Sequence, residues 1–347
     1  MAAHSTVLVT GGAGYIGSHA VKALALAGFD VVAYDDLSAG HREAIQRIAK
    51  NIPARVVTLI EGKIADRARV TDTIKRFGVT AVMHFAAKLS VGESMRVPFD
   101  YYATNVSGTL DVLAAMADCG VKAFVFSSTA ATFGEPRTTP IDELHPQEPI
   151  NPYGASKLAV ERILPFLEKA HGIKSVVLRY FNAAGADPDG WIGEDHSPEE
   201  HLIPRAIAAT MPGGERLVVF GNDYQTPDGT CLRDFVHVAD LADAHVLALG
   251  SLLEGGASGA FNLGNGRGAS VKELIAAVER VTKKRVAYTM GPRRSGDPAA
   301  LVASSARAKS VLGWRPKYDA LDKIVSTAWA WHQAHPQGYA DPRKGQA

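Results

Sequence analysis

The sequence predicts an α/β protein, with a doubly wound parallel sheet followed by a smaller mixed α/β lobe toward the C-terminus. Three observations carry this. Short β-branched runs alternate with helix-length segments through the first half. A glycine series lies between the first run and the first helix. After Asn182 the alternation breaks at a loop rich in Gly, Asp and Pro, residues 185–198.

The expected strands are Thr6–Thr10, Asp30–Tyr34, Val56–Ile60, Ala81–Ala86, Ala123–Ser127 and Ser175–Tyr180. Between them lie helical patterns such as Ile16–Ala27, Arg67–Phe77, Pro98–Cys119 and Tyr153–His171. Strands alternating with helices argue for a parallel sheet covered on both faces. Beyond the break, helices are expected at Leu202–Met211, Asp240–Leu253 and Val271–Lys284, with strands at Leu217–Phe220 and Ala260–Leu263. This second part reads as a lobe set on the sheet's carboxyl edge, where ligands of open α/β sheets sit. The expected division is 1–181 for a dinucleotide-binding domain and 182–347 for a substrate lobe.

Composition excludes several function classes. The 347 residues are 46% hydrophobic and 21% charged, as in ordinary globular proteins. Lys+Arg 37 against Asp+Glu 36 leaves a net charge of +1, which offers nothing to a nucleic acid or a membrane surface. Cys119 and Cys231 are too few for a disulfide or zinc framework. The start, MAAHSTVLVTGG, lacks the basic and apolar regions of a signal peptide, and no uncharged apolar run approaches the roughly 18 residues of a membrane span. A cytoplasmic location is the expectation.

In "VLVTGGAGYIGSH" the glycines follow a strand and open a helix. Gly12-x-Gly14-x-x-Gly17 fits the Rossmann dinucleotide fingerprint, and Gly11-x-x-Gly14-x-x-Gly17 its short-chain variant. Glycine permits the tight turn and lets backbone approach a pyrophosphate, which then faces a helix N-terminus. The second strand ends in "AYDD", where Asp35 is placed to accept from ribose hydroxyls and to repel a 2′-phosphate. The expected cofactor is NAD, not NADP.

The stretch "NPYGASK", 151–157, places Tyr153 and Lys157 on one face at a helix start. A fixed ammonium beside a phenol favours the phenolate and makes it a usable base. Upstream, "FVFSSTAATFG" sets Ser127, Ser128 and Thr129 at a strand's carboxyl end. Together they complete a Thr129/Tyr153/Lys157 set.

TGGxGxxG with YxxxK resembles the extended short-chain dehydrogenases/reductases. "HFAAKLSVGES" (84–94), "LRYFNAAGA" (178–186), "FGNDYQTPDGTCLRDFVHVADLADAH" (220–245) and "RRSGDP" (293–298) narrow the resemblance to the UDP-glucose 4-epimerase (UDP-galactose 4-epimerase) family over essentially the whole chain. The resemblance implies that Tyr153 takes the proton of the sugar 4-hydroxyl with help from Thr129, while hydride passes from sugar C4 to NAD. Lys157 would hold the nicotinamide ribose and lower the Tyr153 pKa. The 4-keto sugar then turns and takes the hydride back on its other face, so NAD is regenerated in place.

By the same resemblance Gly11, Gly14, Tyr15, Ile16, Gly17, Asp35, Asp36, Leu37, Ser38, Ile64, Phe85, Ala86, Ala87, Asn105, Tyr180 and Phe181 surround the cofactor with Tyr153 and Lys157. Thr129, Tyr153, Asn182, His201, Leu202, Val218, Phe220, Arg233, Arg294, Asp297 and Leu301 surround the UDP-sugar. Two arginines suit a diphosphate because the guanidinium fork pairs with its oxygens. A homodimer is also implied, through the helices 98–119 and 153–171.

Some positions depart from the family pattern. Lys63 stands where an adenine-binding aspartate is common, which leaves Asp66 as a helix cap. Lys88 comes one place early, with Leu89 after it. Phe133 replaces a frequent tyrosine, and Leu301 stands where a tyrosine faces the sugar's 2-substituent, so an N-acetyl group there is an expected side substrate. "EDHSPEEHLIP" has His196 and His201 near acids without H-E-x-x-H spacing, so a solvated loop and no metal are expected. A 4,6-dehydratase needs proton-carrying groups where Ala130 and Ala131 stand. A nucleotide-sensing protein usually lacks the intact triad. Epimerases of UDP-N-acetylglucosamine, UDP-glucuronate or UDP-pentose would use the same three residues.

Overall fold

The computed structural model describes residues 5–293 and 298–339. Its main layer contains β1 (Thr6–Thr10), β2 (Asp30–Asp35), β3 (Val57–Glu61), β4 (Val79–His84), β5 (Ala123–Thr129), β6 (Lys174–Tyr180) and a later strand, Gly259–Leu263. The order across the sheet is Gly259–Leu263, β6, β5, β4, β1, β2, β3, all parallel. The chain winds outward from β1 to β3 and then restarts at β4 on the other side of β1. That reversal opens a crevice at the carboxyl ends of the two strands.

Alternate residues of each strand serve opposite faces, and both faces are dry. Val7, Val9, Val31 and Ala33 pack with Ala20, Leu24, Ile45 and Ile48 of α1 (Tyr15–Leu26) and α2 (Arg42–Asn51). Leu8, Val32, Val82 and Phe124 pack with Val70 and Ile74 of α3 (Arg67–Phe77), and with Leu113, Met116 and Leu164. A separate core of Ile203, Val219, Leu274, Val278, Ile324 and Val325 holds the smaller lobe. Its elements are helices Leu202–Ala208, Val271–Thr282 and Leu321–Ala334, and strand Leu217–Phe220.

The early strands and helices fall within two residues of expectation. The structure corrects the expectation in three places. Helix Val238–Leu253 and strand Gly259–Leu263, expected in the second lobe, return to the main layer: the strand pairs with β6, and Leu241, Ala244, Ala248 and Leu249 join the core shared with α1. Position in the chain therefore does not separate the two cores at residue 181. The helix expected over 98–119 is three pieces, Pro98–Tyr102, a π-turn Ala103–Gly108 and Thr109–Cys119. Helix α2 was not among the expected elements, because it buries only Ala44, Ile45 and Ile48 on an otherwise polar segment.

Candidate active site

The glycine turn follows β1 at the crevice. Gly11 has φ +67°, and a Cβ there would stand 2.6 Å from Ala86 N. A Cβ on Gly17 would stand 2.0 Å from Gly11 O, so the helix can approach the turn only without a side chain. Gly14 caps α1 in an extended conformation, with no side-chain cap and no acid in the first turn. Such an end keeps its partial positive charge for an anion.

Asp35 ends β2 beside this turn, 8% exposed. Its Oδ2 accepts from Ala13 N–H at 2.9 Å and its Oδ1 from Leu37 N–H at 2.8 Å. Burial raises its pKa, and those N–H groups oppose the rise. The turn and the carboxylate together fit a dinucleotide with an unphosphorylated adenosine ribose.

The catalytic helix, Pro152–His171, starts where Asn151 Oδ1 accepts from Gly154 N–H at 2.8 Å and proline occupies the first turn. Tyr153, Lys157 and Glu161 follow at four-residue spacing on one face. Lys157 Nζ donates to Ser127 O at 2.9 Å, and Glu161 accepts from the Ser128 hydroxyl at 2.5 Å while pairing with Arg179 at 2.6 Å. These bonds pin the helix face to the end of β5, where Thr129 sits. The Thr129 hydroxyl hydrogen-bonds the Tyr153 phenol.

Burial is the largest influence on both Tyr153 and Lys157. Burial raises the Tyr153 pKa, the Thr129 hydrogen bond opposes the rise, and Lys157 is not among the groups that shift it. Burial also pulls Lys157 down to about 7, with Glu161 acting in the opposite direction. Thr129 is the neighbour that favours the phenolate.

A single cleft of about 1170 Å³ collects the glycine turn, Asp35, Asp36, Ser38, Ile64, the 85–87 run, Thr129, Tyr153, Lys157, Tyr180 and Phe181. Its other wall carries Asn182, His201, Leu202, Val218, Phe220, Arg233 and Leu301. Arg294 and Asp297 lie outside the described residues. Two expected cofactor contacts are absent from the lining. Leu37, at φ +58°, instead supplies the N–H that holds Asp35. Asn105, 1% exposed, accepts from Lys88 N–H through Oδ1 at 2.8 Å and donates through Nδ2 to Lys88 O at 3.0 Å and Ser156 Oγ at 3.0 Å. It locks the π-turn, the 85–88 run and the catalytic helix together. Neither role leaves a pattern in sequence.

The departures also resolve. Lys88 pairs with Glu93 at 3.1 Å. Lys63 offers its carbonyl to the Tyr34 hydroxyl at 3.1 Å, and Asp66 caps α3 through Arg69 N at 3.0 Å. Phe133 is fully buried with Ala130 and Ile141, and Leu301 packs against that group.

The 194–201 loop is not a solvated strand of acids and histidines. Glu194, His196, Glu199 and His201 converge, with one donor atom from each lying within 4.8 Å of the others. Burial works against protonation of His196 and His201, but the two carboxylates outweigh it and raise them to about 9 and about 10.

Comparison with known proteins agrees with this geometry. Residues 7–264 match the model of the NAD dependent epimerase/dehydratase family. The UDP-glucose 4-epimerase of Halalkalibacterium halodurans is 49% identical over 97% of this chain and 98% of its own length. The crystal structure of UDP-glucose 4-epimerase from Brucella ovis in complex with NAD superposes with a TM-score of 0.89 at 47% identity, covering 94% of this chain and 97% of that one. The UDP-Glc/GlcNAc 4-epimerase of Campylobacter jejuni does so with a TM-score of 0.82 at 39% identity, covering 95% and 99%. A glycine turn for a dinucleotide, a Thr/Tyr/Lys set at the end of β5 and near full-length identity make the chain a member of the NAD dependent epimerase/dehydratase family, in its UDP-glucose 4-epimerase branch.

Proposed function

We propose that the protein is an isomerase that interconverts UDP-glucose and UDP-galactose with NAD held in the cleft. The observation that carries the reading is the placement of Thr129, Tyr153 and Lys157 in the same cleft as the glycine turn and Asp35. NAD, when bound, supplies the acceptor for the sugar C4 hydride and returns it to the opposite face of the 4-keto sugar.

The chain's own residues do the rest. Tyr153 takes the 4-hydroxyl proton and gives it back, with Thr129 favouring the phenolate form. Lys157, held by Ser127 O, is assigned to the nicotinamide ribose. Gly11, Gly14 and Gly17 seat the pyrophosphate, and Asp35 takes the adenosine ribose. Asn182 and Arg233, with Arg294 and Asp297, are assigned to the UDP moiety. Residues 1–181 supply the cofactor side of the site and 182–347 the sugar-nucleotide side, even though helix Val238–Leu253 and strand Gly259–Leu263 pack in the main layer. Leu301, in place of a phenol, leaves room at the sugar 2-position for an N-acetyl group as a secondary substrate.

A homodimer accompanies this reading. Phe99, Phe166 and Met95 are 88%, 72% and 62% exposed, and Tyr102 and Leu110 are also exposed on the helices of 98–119. A solution mass of one chain by light scattering would remove that assignment. A cytoplasmic location fits the composition; no helix among the described residues is long and apolar enough to cross a membrane.

Incubating the purified protein with UDP-galactose, and separately with UDP-glucuronate, without added NAD tests the function. UDP-galactose should yield UDP-glucose, and NAD should appear in the supernatant of the denatured protein. Turnover of UDP-glucuronate alone, or none with either sugar, overturns the reading.

A further inference from the structure

We infer that Glu194, His196, Glu199 and His201 form a binding site for one divalent transition-metal cation of the zinc class, on the wall of the substrate cleft. The argument is geometric. Glu194 Oε1 lies 2.9 Å from His201 Nδ1 and 3.3 Å from His196 Nδ1. Glu199 Oε1 lies 2.9 Å from His201 Nδ1, and its Oε2 3.6 Å from His196 Nδ1. Donors bonded to a tetrahedral zinc at about 2.0–2.1 Å are about 3.3 Å apart, so the four groups already stand at ligand-to-ligand spacing.

A second observation points to an ion. Glu194 is 4% exposed, yet its Oε1 has no hydrogen-bond partner among the described residues, and His196 Nδ1 has none either. The two atoms lie 3.3 Å apart, inside the span of the four-residue cluster. Once a cation displaces the protons of His196 and His201, two carboxylates and two neutral imidazoles balance a divalent charge, and this nitrogen and oxygen set suits zinc better than magnesium or calcium.

The surrounding structure is stiff enough to hold such a site. Trp331 Nε1 donates to Glu194 O at 3.0 Å, and Gly193 N to the Tyr339 hydroxyl at 3.0 Å. His201 is the residue that begins helix Leu202–Ala208. Glu194, His196 and Glu199 also line a second cavity of about 910 Å³ on the far side, which gives an ion an entry path independent of the cleft. A bound cation would tie the 194–201 loop to the helix that carries Leu202 into the cleft.

The test uses the full chain without a histidine tag, stripped with EDTA and dialysed. Titration with zinc chloride alone should give one equivalent bound and a higher melting temperature. Cobalt in its place should give the visible absorption of a four-coordinate nitrogen and oxygen site. His196→Gln and Glu199→Gln, each checked for native circular dichroism, should bind at least about tenfold more weakly. Less than one equivalent, or equal binding by the native protein and both folded variants, overturns the site. Binding is read without sugar or NAD, so its failure leaves the epimerase reading standing, and the reverse holds as well.

Discussion

Tyr153 is a half-buried phenol whose pKa the fold raises, and Thr129 is the neighbour that opposes the rise. Tyr153→Phe removes the proposed base and leaves the glycine turn untouched. Epimerisation should fall by about two to four orders of magnitude while NAD still co-purifies; near-native turnover would show that another group moves the proton. Leu301 faces the cleft from a two-residue strand paired with Leu232–Arg233 and packs on the group that contains Phe133. A phenol there would be larger and could hydrogen-bond. Leu301→Tyr should lower kcat/KM for UDP-N-acetylglucosamine by at least about tenfold and leave UDP-glucose nearly unchanged. No native activity on the N-acetylated sugar, or no response to the tyrosine, would exclude Leu301 as the gate.

At the scale of elements, the helix Pro152–His171 matters because its first turn carries the base. Its start depends on one side chain, Asn151, whose Oδ1 accepts from Gly154 N–H. Asn151→Ala should cost about 1 kcal/mol, seen as a fall in Tm of about 2–4 °C. The frayed first turn would also misplace Tyr153, and an ångström of displacement can cost up to about a hundredfold in rate. A drop in Tm with kcat unchanged would show that the Lys157 and Glu161 bonds alone hold the helix in register. The broken helix 98–119 makes a similar point: its π-turn exists because Asn105 reaches both the 85–88 run and Ser156.

For the whole molecule, burial of neutral histidines sets the acid limit. Burial pushes His84 and His237 down to about 3, and His19 and His245 down to about 4. In His237 the neutral form is required: Nδ1 accepts from Ala239 N–H at 3.1 Å while Nε2 faces the Thr327 hydroxyl at 2.9 Å. Each folded value lies below the ordinary 6.5, so the unfolded chain takes up protons first as pH falls. The stability these groups carry is present above 6.5 and is lost on descending toward about 4 and about 3. Between pH 7 and 5 each should remove on the order of 2 kcal/mol. Urea midpoints at the two pH values check this, and a flat profile would mean that these rings are solvated.

The sequence by itself determined the fold class and the glycine turn, and it set Tyr153 and Lys157 on one helix face, because each rests on local spacing. Apolar runs of period two, glycines at fixed offsets and a four-residue step between Tyr153 and Lys157 need no knowledge of distant residues. Early strand boundaries were legible for the same reason. What the tertiary structure decided involves residues far apart in the chain. It sent Gly259–Leu263 to the edge of β6 and gave Asn105 a clamping role between the 85–88 run and Ser156. Burial and long-range hydrogen bonds set those outcomes, and neither has a period that a linear pattern can carry.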